Sequence, residues 1–314
     1  MGVGPHAQQI KMKKHSKLLG VSVVLITLAA CLNAAQPPAP RFDGQRALEH
    51  TRNVVAFGPR PAGSPALART RDYIRKELTA LGLAVKEQAF EATTPAGKVR
   101  MVNVRAMIGG PDTARRLIVA GHYDTKLFKE VSFVGANDGG SSTGFLIELA
   151  RALKQSPPSM PVELLFLDGE EAVRLEWLDP DNRYGSRYYV ESARKDGTLQ
   201  QIAALVLVDM IGDKDLGMKR ESQSTPWLTS VIWDTAARLG RKEFLAEETP
   251  IEDDHIPFLE AGVAAVDLID LDYQPWHTPQ DTMDKVSAKS FQSVGDVLLA
   301  ALPAIEKRVS SQAR

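Results

Sequence analysis

Phe166-Leu167-Asp168-Gly169-Glu170-Glu171 directly follows the apolar run Val162-Glu163-Leu164-Leu165. Two adjacent glutamates at the end of a buried strand need compensation, because an unpaired carboxylate beside a core is costly. Side chains of consecutive residues diverge, so one can bind a metal ion while its neighbour moves protons. Taken alone, the motif equally describes an acidic surface turn.

The same chemistry recurs along the chain. His122 and Asp124 follow Leu117-Ile118-Val119-Ala120, and extended backbone aims both to one side, where the carboxylate could orient the imidazole. Asp138 opens the glycine-rich stretch Gly139-Gly140-Ser141-Ser142-Thr143-Gly144 and reads either as a helix N-cap or as a ligand. That stretch lacks the Gly-Lys-Ser/Thr element of a phosphate loop. Asp209 closes Leu205-Val206-Leu207-Val208, and Asp253-Asp254-His255 and Trp276-His277-Thr278 come later. Four strand ends thus supply His122, Glu171, Asp209 and His277, with Asp138 at a helix start between two of them. Imidazoles and carboxylates without thiolate suit zinc, with cobalt or manganese as alternatives.

The elements that must position these residues follow from periodicity. Ser64-Pro65 opens a helix carrying Leu67, Ile74, Leu78 and Leu81 at helical spacing until Gly82. Residues 83–91 and 99–108 read as a hairpin around Pro95-Ala96-Gly97. Short apolar strands then alternate with helices: strands 117–120, 162–167, 203–208 and 263–269, and helices 140–153, 185–194, 225–239 and 287–309. The pattern predicts an α/β three-layer sandwich, a central, mostly parallel twisted sheet with a mixed edge hairpin and helices on both faces. In such a sheet the site lies outside the carboxyl ends of the strands, where the polar residues collect.

With these motifs in place, the order His122-x-Asp124, Asp138, Glu170-Glu171, Asp209, His277 resembles the zinc-dependent M28 peptidase-like fold over nearly the whole chain beyond its leader. Phe133 to Asp138, Asp168-Gly169-Glu170-Glu171-Ala172, Tyr184-Gly185-Ser186-Arg187, Asp253-Asp254-His255-Ile256-Pro257-Phe258 and Trp276-His277-Thr278 are more similar to glutaminyl-peptide cyclotransferases than to aminopeptidases. The resemblance implies one zinc held by Asp138, Glu171 and His277 with an open position. It implies an enzyme that cyclises the N-terminal glutamine of peptides or proteins to pyroglutamate and releases ammonia. Glu170 would be the proton shuttle, and Asp209 and Asp253 a hydrogen-bonded acidic pair steadying the amine and the leaving ammonia. Trp276 would press on the glutamine side chain, with Trp177 and Tyr273 walling the pocket entrance. His122 keeps the position that holds a second zinc in two-metal aminopeptidases. With Asp209 it could complete such a site, so an exported aminopeptidase remains the alternative, and a non-catalytic binding ectodomain is a third class. Three features depart from the family. Glu252 stands where animal members have a neutral amide, Val173 to Trp177 runs one residue longer, and the disulfide of animal members cannot form.

Residues 1–31 hold Lys11, Lys13, Lys14 and Lys17, no acid, and an apolar run from Leu18 to Ala30 ending in Leu28-Ala29-Ala30-Cys31. This predicts a signal peptide with a bacterial lipobox, acylated at Cys31, the single cysteine of the chain. A Pro-rich tether, residues 32–41, then leads to one catalytic domain, residues 42–314. The expected location is periplasmic or cell-envelope, with the membrane touched only through the Cys31 anchor. The net charge is −1 and becomes more negative without the leader, which leaves no basic tract for nucleic acid. A monomer is expected.

Overall fold

Short polar caps and apolar strand runs account for the order of elements in the computed structural model, which describes residues 1–4, 41–111 and 113–312. The chain divides into two compact units, residues 1–36 and 37–314. Of the first unit only residues 1–4 are described; they are exposed and irregular. The expected signal peptide from residue 5 onwards, with Cys31, and the expected tether up to residue 40 lie outside the described residues.

Asp43 caps α1 (Gly44–Val55) by accepting from the Gln45 and Arg46 amides. This helix has no counterpart among the expected elements. Ser64 caps α2 (Pro65–Ala80), where a proline in the first turn forfeits no helical hydrogen bond, and the chain leaves through Gly82 at φ +73°. The hairpin is formed by β1 (Val85–Thr94) and β2 (Gly97–Ile108), with Thr94 paired to Gly97 across the Pro95-Ala96 turn. Then come β3 (Arg116–His122), α3 (Gly140–Gln155), β4 (Val162–Leu167), α4 (Tyr184–Lys195) and β5 (Ile202–Asp209). A small parallel pair follows, β6 (Met218–Glu221) and β7 (Phe244–Thr249), with α5 (Pro226–Arg238) between its strands. The short α6 (Ile256–Glu260), β8 (Ala265–Ile269) and α7 (Ala288–Gln312) complete the order. β8 begins at Ala265 rather than Val263, and the β6–β7 pair is additional to the expected strands.

The main sheet runs β1-β2-β4-β3-β5-β8. β4, β3, β5 and β8 are mutually parallel, and the antiparallel hairpin is joined at the β4 edge. Strand alternation divides the core in two. Leu117, Val119, Leu164, Phe166, Val206 and Leu268 face one side with α2, α3, α5 and α7. Ile118, Ala120, Leu165, Leu205 and Ala265 face the other with α4 and α6. These are the three layers predicted from the alternating pattern. On the first side, α1 lies so close to α3 that a Cβ on Gly144 would sit 2.2 Å from Thr51 Oγ1 and 2.6 Å from the Ala47 carbonyl oxygen.

The chain passes from β3 to β4 on one flank and from β4 back to β5 on the other. The strand order therefore reverses around β3, and the crevice at the carboxyl ends of β3, β4 and β5 is where a ligand site forms in an open α/β sheet.

Candidate active site

Beyond β4 the chain turns at Gly169, φ +76°. The amides of Glu170 and Glu171 donate to the two oxygens of Asp124, at 3.2 and 3.3 Å. The Glu170 carbonyl accepts from Arg183 N at 2.7 Å. Both glutamates are thereby held by their backbone, which leaves their side chains to point into the cavity. Asp124 lies 3.5 Å from His122 Nδ1, but its hydrogen bonds go to the glutamate amides, a positioning role beyond the expected support of the imidazole.

Asp138 is not a helix cap. The cap position of α3 is Gly139 at φ +75° without a side-chain cap, and a Cβ there would meet the Asp124 carbonyl oxygen at 2.2 Å. Glycine thus lets the chain turn tightly while the Asp138 carboxylate faces the cavity. Behind it, Asp281 accepts from Asn137 N at 2.8 Å and Asp138 N at 3.1 Å, and Tyr273 Oη donates to Asp281 at 2.7 Å. Fully buried Arg60 donates to the Val134 and Gly135 carbonyls at 2.6 and 2.9 Å. It braces the same loop and sets a positive charge against the acids. Neither Asp281 nor Arg60 belongs to a motif that betrays its role in the sequence.

Two donor sets share Asp138. Ligand atoms of Asp138, Glu171 and His277 lie within 4.8 Å of one another, and so do those of His122, Asp138 and Asp209. In the first, His277 Nε2 is 3.1 Å from Glu171 Oε1 and 3.4 Å from Asp138 Oδ2. In the second, His122 Nε2 is 3.1 Å from Asp209 Oδ1 and 3.3 Å from Asp138 Oδ1. Asp138 Oδ2 and Glu171 Oε2 are buried without a hydrogen-bond partner. Orphaned acceptors converging with an imidazole fit a divalent cation. His277 adopts φ +54°, a left-handed conformation costly for a histidine and found where side-chain placement is constrained by function.

The electrostatics are those of a crowded acidic cluster that suits a cation. Burial, then the neighbouring Asp138, raises Glu171 above the usual carboxylate range. Glu170 is pushed well up by burial, opposed by His122 and reinforced by Glu171, Asp253 and Asp254. Burial and then Asp209 take Asp253 to about 6. Burial lowers His277, yet its hydrogen bonds to Asp138 and Glu171 prevail and take it to about 10. Lys126 Nζ lies 3.8 Å from Glu171 Oε2 and is itself buried.

Lys126, Asp138, Glu170, Glu171, Asp209 and His277 line a cavity of ≈ 330 Å³ together with Trp177, Ile251, Asp253, Leu271 and Trp276. Trp276 stacks on His277, ring centroids 4.3 Å apart, and Phe128 and Phe133 pack edge-on against the same imidazole. Glu170, Asp209, Asp253, Trp177 and Trp276 are thus brought together around the Asp138, Glu171 and His277 set. Tyr273, expected to wall the pocket entrance, and His122, expected among the substrate-binding residues, are placed elsewhere. Tyr273 is buried behind the site, where its hydroxyl is committed to Asp281. His122, at 2% exposure, lies beneath the cavity against Asp138 and Asp209.

Residues 103–302 match the model for peptidase family M28. The chain is similar to the glutaminyl-peptide cyclotransferase-like protein of Mus musculus, 32% identical over 275 residues that cover 77% of this chain and 71% of that protein. It is similar to the glutaminyl-peptide cyclotransferase of Drosophila melanogaster, 31% identical over 79% of each. Among solved structures it superposes on Acidobacteriales bacterium glutaminyl cyclase with TM-score 0.82 and 39% identity, over 87% of this chain and 98% of that one. With the donor sets and the carboxylate pair at the carboxyl edge of its sheet, the chain belongs to peptidase family M28 and, within it, to the glutaminyl-peptide cyclotransferases.

Proposed function

We propose that this chain cyclises the N-terminal glutamine of peptides and proteins to pyroglutamate with release of ammonia, using one zinc ion held by Asp138, Glu171 and His277. The observation that carries this reading is the juxtaposition in one cavity of that donor set, the buried Glu170 and the aromatic Trp276. A zinc ion held by these three residues would supply Lewis acidity for the amide chemistry. The rest falls to the protein. Trp276 flanks the glutamine side chain and narrows its rotamers, so that the α-amine approaches the amide carbon within the same molecule. As the new C–N bond forms, Glu170 accepts the amine proton. It returns that proton to the amide nitrogen as the old C–N bond breaks and ammonia leaves. Burial makes Glu170 hold a proton more tightly than an ordinary glutamate, which suits a group that must carry it between two nitrogens. Asp209 and Asp253, crowded together and with Asp253 raised to about 6, share the remaining charge and hydrogen-bond the amine and the departing ammonia.

The second donor set favours one further reading. With His122 and Asp209 completing a second zinc site, Glu170 would activate water and the chain would be an aminopeptidase. Incubation with a Gln-initiated and a Leu-initiated peptide, followed by mass spectrometry and zinc analysis, separates the two. Ammonia loss from the first peptide alone, with one zinc per chain, is the expected result. Release of free leucine with two zinc ions per chain overturns it.

The lysine-rich start and the apolar run ending in Cys31 support export and lipid anchoring at the cell envelope, with all candidate site residues supplied by a single chain. Metabolic labelling with an alkyne fatty acid should mark the full chain and not Cys31→Ser.

A further inference from the structure

The ionisable groups at the base of the cavity face one another: Lys126 faces Glu171, and the imidazoles face Asp138 and Asp209. The mouth is different. Pro250, Ile251, Leu175, Leu271 and Trp276 present apolar surface, with Leu175 at 76% and Leu271 at 37% exposure. Among the described residues that line the cavity, Glu252 is the one exposed ionisable side chain. It has neither a hydrogen-bond nor an ion-pair partner among the described residues.

With the glutamine amide at the donor set and the α-amine at Glu170, the peptide carbonyl of that glutamine has to leave through the mouth, and the following side chain comes to rest there. We propose that the mouth is a subsite for the residue after glutamine, and that Glu252 makes it select a basic side chain and reject an acidic one. A lysine or arginine suits both parts of this surface. Its methylene stem packs on Leu271 and Ile251 while its charged head reaches Glu252 at the water boundary. An aspartate or glutamate there brings a like charge beside an uncompensated carboxylate. Partial exposure keeps the effect modest, about threefold to fivefold in kcat/KM for an ion pair of this kind, and salt screens it.

This inference rests on the cyclotransferase reading, and the experiment separates the two. The full chain is assayed for ammonia release from Gln-Lys-Ala, Gln-Met-Ala and Gln-Glu-Ala peptides at low and high salt, beside Glu252→Gln and Glu252→Lys. The expected order for the unaltered protein is Lys above Met above Glu. The spread contracts at high salt, collapses in Glu252→Gln and inverts in Glu252→Lys. If ammonia is released with the same ratios in all three proteins, the subsite is overturned while the activity stands. If no peptide yields ammonia, the cyclotransferase reading falls and the subsite with it.

Discussion

Glu170 and Glu171 are neighbours in sequence, yet they enter different chemistry because Asp124 holds both amides while the side chains part. Replacing Glu170 by Gln keeps the shape and removes the proton carrier. Its kcat for ammonia release should fall by about 10²–10⁴, the usual worth of general acid–base catalysis, with zinc content unchanged. His277→Ala should instead lose zinc, read by metal analysis of the purified protein, since it removes the imidazole from the set with the orphaned Asp138 Oδ2 and Glu171 Oε2. Tyr273→Phe tests the layer behind. It frees Asp281 from one hydrogen bond and should cost about 1 kcal/mol of stability. It should also weaken zinc binding by about tenfold, measured by competition with a chelator, because Asp281 positions the Asp138 backbone.

At the scale of elements, the site depends on a rigid start to α3. Asp138 stands just before the Gly139 cap of that helix, and α1 clamps the helix through the close approach at Gly144. Gly144→Ala adds a methyl group where Thr51 and the Ala47 carbonyl leave no room. It should cost about 1–3 kcal/mol as overpacking, seen as a lower urea midpoint with an unchanged slope. The short pair β6–β7 serves a different end. Glu221, at the end of β6, accepts from Ile251 N at 3.2 Å and pairs with His255 Nε2 at 3.1 Å. The segment carrying Glu252 and Asp253 is thereby fastened at both ends to a strand outside the main sheet.

For the whole molecule, the number of buried carboxylates sets the response to pH. Burial, followed by repulsion from Asp124, takes Asp168 to about 8, and burial followed by Asp253 takes Asp254 to about 8. Burial, then Asp138, takes Asp281 to about 6. In the unfolded chain these groups titrate at about 3.9. The folded state therefore binds more protons over this interval, and the stability these groups contribute is present below about pH 4 and lost as pH rises through 6 and 8. The metal-free protein should accordingly show a melting temperature that falls from pH 5 to pH 8. Asp168→Asn should flatten the upper part of that fall, because an amide has no proton to lose. Asp138 runs in the opposite direction: His122 and His277 hold it below its usual range against burial, so its contribution is lost only in strong acid.

Much of the architecture was legible because it is written in local periodicity. Alternating apolar runs at residues 117–120, 162–167 and 203–208 became β3, β4 and β5, and the residues following them became the site, since an open parallel sheet places its strand ends on one edge. The helix α1 was less legible because the positions it buries, Gly44, Ala47, Thr51 and Val54, are small or polar and make a weak apolar stripe. β7 likewise buries only Phe244 of its six residues. Residue types and order alone determined the α/β class, the family, and the carboxylates and imidazoles available for chemistry. Only the tertiary structure decided that Asp138 stands in two donor sets, that Tyr273 supports Asp281 from behind while Trp276 faces the cavity, and that Arg60 braces the metal-side loop from more than seventy residues away. Those assignments rest on hydrogen bonds to backbone amides and carbonyls, and any residue offers such groups. No side-chain pattern records them until the fold brings the partners together.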